Sequence, residues 1–158
     1  MPRYPGPLPN PDFRRQVAAE VMAPFVGVVS GEITTTSRIV LGTTRYKGRV
    51  TDVVMSVLNA GKADSSVPTI TGEVRINGTS IFTTRPSIVH VSGEAAQQKT
   101  THTDAADTGI GAPVINESAN TFSPGDVLVW DLLYSGSTNP TTKMNNAAIL
   151  VEVEPYNP

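Results

Sequence analysis

Few residues of this sequence could do chemistry, and the densest group is the segment HTDAAD, residues 102–107. His102 with Asp104 and Asp107 offers the donor types of a metal site or of an acid–base pair. Two such donor types on one polar loop also arise readily by chance, so a solvated loop is the favoured interpretation. His90, the second histidine, lies in a strand-like pattern and is expected to be partly buried or at an interface.

A second candidate is the pair Asp126 and Asp131, which flank Trp130. Paired carboxylates hydrolyse glycosidic bonds, but Asp126 ends the turn sequence FSPGD, where an aspartate is explained by hydrogen bonds to the backbone. Asp131 is expected to face another subunit or to hydrogen-bond a loop. An exposed Trp130 with Tyr134 would indicate sugar stacking, but a core tryptophan is favoured in so apolar a run.

Other chemical signatures are absent from the sequence. It has no GxSxG nucleophile elbow, no Walker A motif and no GxGxxG loop. It has no cysteine, which excludes disulfides and thiolate metal sites. We therefore expect a protein that is not an enzyme and that holds no cofactor and no metal.

Charge and hydropathy limit the partners. Twelve Lys and Arg nearly balance fourteen Asp and Glu, so no general polyanion-binding surface and no nucleic-acid partner is expected. No apolar run approaches the roughly 20 residues of a membrane helix, and the first residues lack the apolar core of a signal peptide. Neither membrane insertion nor export by the standard route is expected.

The elements that must position these residues are strands. Thirteen Gly and thirteen Pro, with many Thr, Val and Ser, favour an all-β protein rich in turns. About eight antiparallel strands at short intervals indicate a β-sandwich or jelly roll. The predicted strands are residues 25–33, 37–42, 49–59, 69–76, 79–83, 86–91, 127–134 and 144–153. The side chains predicted to fill the space between two sheets are Val53, Met55, Val57, Val74, Ile76, Val129, Leu133, Ile149 and Val151.

The run at residues 49–59 is apolar on both faces, which predicts a central strand covered on each side. One face carries Val53, Met55 and Val57, and the other carries Val50, Val54 and Leu58. Residues 92–121 differ, since they form a long polar loop in which one short strand, at 112–115, is expected. A loop of this length inside a compact domain is uncommon and often functional.

Residues 1–24 are predicted to be a Pro-rich arm, and residues 25–158 the β-sandwich domain. Five prolines lie in the first twelve residues, and proline favours an extended chain. Residues 11–22 are the helix candidate, with an extended chain as the alternative. The arm is either a disordered tail or a segment that lies on a neighbouring subunit. Its anchors in the second case would be Arg3, Tyr4, Phe13, Arg14 and Arg15.

The sequence also predicts one β-hairpin. Asn77 and Gly78 separate two strand-like runs, and a type I′ turn needs positive φ at both central residues, which Asn and Gly tolerate.

Three stretches carry a resemblance to a known family. Residues 58–61 read LNAG, residues 74–88 read VRINGTSIFTTRPSI, and residues 122–131 read FSPGDVLVWD. This order resembles the small β-sandwich domain of virion structural proteins in tailed bacteriophages, which include head decoration (cement) proteins, head fibres and parts of tail fibres. The resemblance spans roughly residues 48–153. Its structural residues are Asn77 and Gly78 in the hairpin, Ile81 and Phe82 in the core, and Gly125 and Asp126 in the turn.

The resemblance implies a structural virion protein, in the leading interpretation a cement protein on the outer surface of the capsid. Its partners would then be the major capsid protein and further copies of itself, as a homo-oligomer and most simply a trimer. It would be made in the host cytoplasm and incorporated into the virion. The alternative is a head-fibre or tail-fibre module that binds host surface glycans. Against this alternative, the chain has no shaft of repeats or coiled coil. The loop at residues 62–67 is also more charged than the Gly/Thr loop of the family pattern.

Overall fold

The computed structural model describes residues 23–62, 67–136 and 142–156. Within these ranges the regular structure is thirteen strands and one 3₁₀ helix, Thr103–Ala105, so the predicted all-β fold is confirmed. The strands are β1 (Phe25–Ile33), β2 (Ser37–Thr43), β3 (Gly48–Asn59), β4 (Thr69–Ile76), β5 (Thr79–Ser80), β6 (Phe82–Thr84), β7 (Ser87–Val89), β8 (Lys99–Thr100), β9 (Ile110–Gly111), β10 (Val114–Ile115), β11 (Thr121–Phe122), β12 (Val127–Ser135) and β13 (Met144–Pro155). None of the helical structure in the described ranges is long and apolar enough to cross a membrane.

The strands form two main sheets in which every pair is antiparallel. Sheet A has the order β1–β13–β3, and both β8 and β11 pair with β3. Sheet B has the order β2–β12–β4–β7–β9, and β5 pairs with β4. A separate ladder joins β6 to β10. This arrangement agrees with the predicted β-sandwich.

The core lies between the two sheets, because alternate residues of each strand point to the same side. Met55 on β3 and Ile149 on β13 come from sheet A, whereas Val74 on β4 and Trp130 on β12 come from sheet B, and all four are buried. Gly27 of β1 has no side chain and so leaves room for Trp130, since a Cβ at this position would lie 2.7 Å from the indole Cε3 atom.

Strand β3 departs from the predicted pattern at Thr51, where the register against β13 slips by one residue. The extra residue turns Val50 into the core together with Val53, instead of onto the opposite face. That opposite face is open to solvent, because Leu58 is 59% exposed. The prediction that this strand is covered on both faces is therefore wrong.

Strand β12 buries Trp130, as predicted, but its other predicted core residues face the opposite side. Trp130 points into the core, as do the residues two positions before and after it. Val129 and Leu133, which were predicted to be core residues, are only half-buried and share the outer face of sheet B with Asp131. Their assignment to the core is wrong.

The segment at residues 92–121 is more ordered than the sequence indicates, since it contains β8 to β11 and the 3₁₀ helix. Lys99 holds this segment in place. Its side chain is fully buried, and its Nζ atom donates to the carbonyl oxygens of Thr108 at 2.7 Å and Val89 at 3.2 Å. Nζ also lies 2.6 Å from Oε2 of Glu94. The loop is thus held against the edge of sheet B at β7.

The Pro-rich arm, its helix candidate at residues 11–22 and its predicted anchors Arg3, Tyr4, Phe13, Arg14 and Arg15 lie outside the described residues.

Candidate functional site

The predicted hairpin is present. Asn77 has φ 49° and Gly78 has φ 87°, the two positive values that a type I′ turn requires, and the turn joins β4 to β5. The returning strand is shorter than expected. After β5 the chain leaves sheet B, and β6 pairs with β10 instead.

The hairpin turn meets the FSPGD turn in one hydrogen-bonded corner. Asn77 Nδ2 donates to Asp126 Oδ1 at 2.7 Å, and Asn77 Oδ1 accepts from the N–H of Val127 at 2.9 Å. Asp126 Oδ2 accepts from the N–H of Ser123 at 2.7 Å. The hydrogen bond from Ser123, and then that from Asn77, hold the pKa of Asp126 below its ordinary value. Gly125 completes the turn with φ 94°. Asp126 is thus an ionised turn residue, whereas a general acid needs a raised pKa.

The aromatic residues that the sequence singled out are structural. Trp130 is fully buried and Phe82 is 8% exposed. A buried indole cannot stack on a sugar, so the sugar-binding interpretation of Trp130 is wrong and the core interpretation is confirmed. Tyr134 is half-buried, and burial raises its pKa.

The outer face of sheet B carries a group of five charged residues, of which the sequence singled out only Asp131. We call it the ionic row: Arg38, Glu73, Arg75, Arg85 and Asp131. Three of them lie side by side on adjacent strands, since Asp131 of β12 is in register with Arg38 of β2 and with Glu73 of β4.

Asp131 is the centre of the ionic row. Arg38 Nε lies 2.5 Å from Asp131 Oδ1, its second nitrogen donates to Oδ2 at 3.1 Å, and Arg75 also contacts Oδ2. The Asp131 side chain is only 4% exposed. The hydrogen bonds from Arg38, and then the charges of Arg38 and Arg75, lower the pKa of Asp131 below its ordinary value despite burial. The expected hydrogen bond is thus to strand arginines rather than to a loop.

Glu73 is the other carboxylate of the ionic row, and its side chain is fully buried. Its Oε1 atom accepts from Ser80 Oγ at 2.6 Å, Arg85 contacts Oε2, and a nitrogen of Arg75 lies 3.8 Å from Oε2. Asp131 and Glu73 lie side by side, but they do not form an acid–base pair, since arginines neutralise both carboxylates. The row ties β2, β12, β4 and the segment between β6 and β7 together, which is a structural role.

The HTDAAD segment does not bring its three candidate ligands together. His102 Nδ1 accepts from the N–H of Asp104 at 3.2 Å and caps the 3₁₀ helix. Asp107 Oδ2 accepts instead from the N–H of Thr100 at 2.8 Å. Among the described residues there is no group of three or more His, Cys, Asp or Glu that could hold a metal ion. His90 directly follows β7 and is buried, at 4% exposure, which is deeper than the partial burial expected.

The outer face of sheet A is an open apolar surface of the described sandwich. Val26 and Val28 of β1 are 57% and 56% exposed, and Leu58 of β3 is 59% exposed. Leu150 of β13 and Val54 of β3 are half-buried between them. Exposed apolar residues that are grouped in this way indicate a contact surface for another protein.

A smaller feature lies at the β2–β3 turn. Tyr46 is 64% exposed and lies between Arg45 and Lys47 in sequence. It borders a cavity of about 170 Å³ that Phe25 and Phe122 also line. This is the exposed aromatic side chain that the described ranges offer to a flat ligand.

No family model matches this chain, and no curated protein shows significant similarity to it.

Proposed function

We propose that this chain is a structural virion protein of a tailed bacteriophage, a capsid decoration protein that binds the outside of the major capsid protein lattice and stabilises the head. The observation that carries the proposal is the corner between Asn77 and Asp126. The hairpin motif with Asn77 and the turn motif with Asp126, the two halves of the family signature, are in contact there. This contact explains why both motifs would occur in one fold signature. The signature residues act in folding, as the resemblance implies.

A mechanical role fits the distribution of charge. Asp131 and Asp126, whose pKa values are lowered, are bound to arginines and to turn residues, so they suit a rigid scaffold better than proton transfer. A rigid sandwich acts on a shell through surface contacts. As a homo-oligomer, most simply a trimer, it would repeat each weak contact by symmetry and gain strength by avidity.

The proposal is tested by cosedimentation of the purified protein with empty capsid shells, with the copy number read from stained gels. We expect saturation at a simple fraction of the copies of the major capsid protein, and shells that resist heat better when decorated. A heat-denatured sample of the same protein is the control for trapping in the pellet. Absence of binding, or only a few copies per particle, would overturn the cement role.

A second candidate is a fibre module that binds host surface glycans, and the exposure of Tyr46 favours it. An exposed aromatic ring with cationic neighbours can stack on a sugar and contact its acidic groups. A glycan array would show binding that Tyr46→Ala abolishes. Val40→Ala, a change at an equally exposed position on sheet B, would leave that binding intact.

A further inference from the structure

We infer that the outer face of sheet A binds residues 1–22 of a second copy of this chain. We call this surface the docking face: Val26, Val28, Val54, Leu58 and Leu150. The inference deepens the homo-oligomer part of the proposed function, because it names the surface and the segment that hold two copies together.

The docking face contains a continuous apolar row across three strands. Val26 of β1 is in register with Leu150 of β13, and Leu150 is in register with Val54 of β3. The next row on the same face begins with Val28, paired with Ala148. No described segment covers either row, since Val26 and Val28 are both more than half exposed.

A pair of carboxylates borders the apolar row. Glu152 of β13 is in register with Asp52 of β3, two positions from Leu150 and Val54 and on the same face. Like charges directly opposite one another destabilise a sheet unless a cation lies between them. Neither carboxylate forms an ion pair with any residue that the structure describes. The ligand that complements the docking face would therefore have an apolar group and a cation about 7 Å apart along the strand direction.

Residues 1–22 have this chemistry. They contain Phe13 followed by Arg14 and Arg15, and an Arg3–Tyr4 pair nearer the start. They carry three arginines against two acidic residues, a net charge of +1, whereas residues 23–158 carry nine Lys and Arg against twelve Asp and Glu, a net charge of −3. In an extended chain, residues two apart share a face about 7 Å from each other, as Phe13 and Arg15 would.

The sequence at the entry to β1 favours a second copy over the same chain. Ala23 precedes Pro24, and the residue before a proline is confined to extended conformations, while proline itself has a fixed φ. The chain therefore enters β1 extended, and to cover its own docking face it would have to turn back upstream of Ala23. Twenty-two residues can span up to about 70 Å, enough to reach a neighbour.

The first test is the mass of the full chain in solution, measured by light scattering after size exclusion. We expect an oligomer that the double variant Val26→Glu/Val28→Glu reduces to a monomer. Both positions are exposed on one edge strand, so the fold should survive, and circular dichroism checks this. Val40→Glu is the matched control, because Val40 is 64% exposed on the opposite sheet, and it should keep the oligomer. A parent chain that is monomeric, or a double variant that stays oligomeric, would overturn the inference.

The second test uses the absence of cysteine from the chain. Phe13→Cys protein is mixed with Val26→Cys protein under mild oxidation, and we expect a heterologous disulfide dimer. Phe13→Cys mixed with Val40→Cys should give at most a tenth as much. A chain that carries both Phe13→Cys and Val26→Cys and closes only on itself would overturn the second-copy assignment.

Both experiments are done without capsid shells. If the arm does not dock but the protein still saturates shells, only this inference fails. If the oligomer forms through the docking face but no shell binds, the cement proposal fails alone.

Discussion

The side-chain amide of Asn77 donates to Oδ1 of Asp126 at 2.7 Å, so the tip of one hairpin holds the turn that precedes β12. The backbone adds to this contact, because the N–H of Asn77 donates to the carbonyl oxygen of Val127 at 3.0 Å. Asn77 therefore has two separable roles: a residue that tolerates positive φ and a hydrogen-bonding bridge between two turns.

Two substitutions separate these roles. Asn77→Gly keeps the turn conformation and removes the bridge, whereas Asn77→Ala removes the bridge and also forces an alanine to φ 49°. We expect Asn77→Ala to lower the free energy of unfolding by about 1–2 kcal/mol more than Asn77→Gly, which is the cost of a left-handed conformation for a residue with a Cβ. Urea denaturation measures both. Equal losses would show that backbone conformation is unimportant at this turn.

Asp131→Asn should lower the free energy of unfolding at neutral pH by about 1–3 kcal/mol, because hydrogen bonds from two arginines lose their charged acceptor. The effect depends on pH with a definite sign. The pKa of Asp131 lies below its ordinary value of 3.8 in the folded state, so its stabilising contribution is complete well above pH 3.8 and is lost as the pH falls through the lowered pKa.

The measurement is the urea midpoint of parent and Asp131→Asn as a function of pH. The two curves should be apart at pH 7 and converge as the pH falls below 3.8 and through the lowered pKa of Asp131. Asp104→Asn is the matched control, because the Asp104 side chain is 89% exposed, and its curve should follow the parent throughout. A constant gap between parent and Asp131→Asn down to the lowest pH would contradict the ion-pair account.

Lys99→Met should lower the free energy of unfolding by about 2 kcal/mol, since the carbonyl oxygens of Val89 and Thr108 lose a charged donor in a buried place. Hydrogen exchange should also become faster in residues 92–111. Lys143→Met is the control, because Lys143 pairs with Glu32 at the surface and such pairs contribute less than about 1 kcal/mol. Equal effects of the two changes would show that Lys99 does not fasten the loop.

Gly27→Ala should lower the free energy of unfolding by about 1–3 kcal/mol, the usual cost of adding a methyl group to a filled core. A Cβ at Gly27 would lie 2.7 Å from both Leu41 Cδ2 and Trp130 Cε3. The neighbouring change Val26→Ala points to solvent and should cost less than about 0.5 kcal/mol in thermal or urea unfolding. The reverse order would show that β1 faces the other way.

Much of the fold follows from local signals. Alternating apolar residues located the long strands, and the Asn77–Gly78 pair located the hairpin, because both signals act over neighbouring residues. The facing of β12 was missed because nearly every position of VLVWDLLY is apolar, so alternation does not choose a side. Asp131 was the available signal: a single carboxylate in a strand favours the outer face, which puts Trp130 inside.

The ionic row was beyond the sequence for a different reason. Arg38, Glu73 and Asp131 come from three strands that are distant in sequence, and only the strand register brings them into line. The bulge at Thr51 also depends on strand pairing, because the extra residue of β3 can be recognised only from its register against β13. The burial of Lys99 also depends on backbone carbonyl oxygens, whose positions cannot be predicted from the sequence pattern.

The central position of β13 in sheet A affects how the protein is made. Phe25 pairs with Val151 and Ile33 with Met144, while the other edge of β13 pairs along the whole of β3. During synthesis, β1 and the edge of β3 that faces β13 therefore stay unpaired until the residues of β13 leave the ribosome. Contacts so distant in sequence form slowly, so folding of sheet A is a late event. Until then, the nascent chain exposes apolar strand edges to chaperones and to other chains.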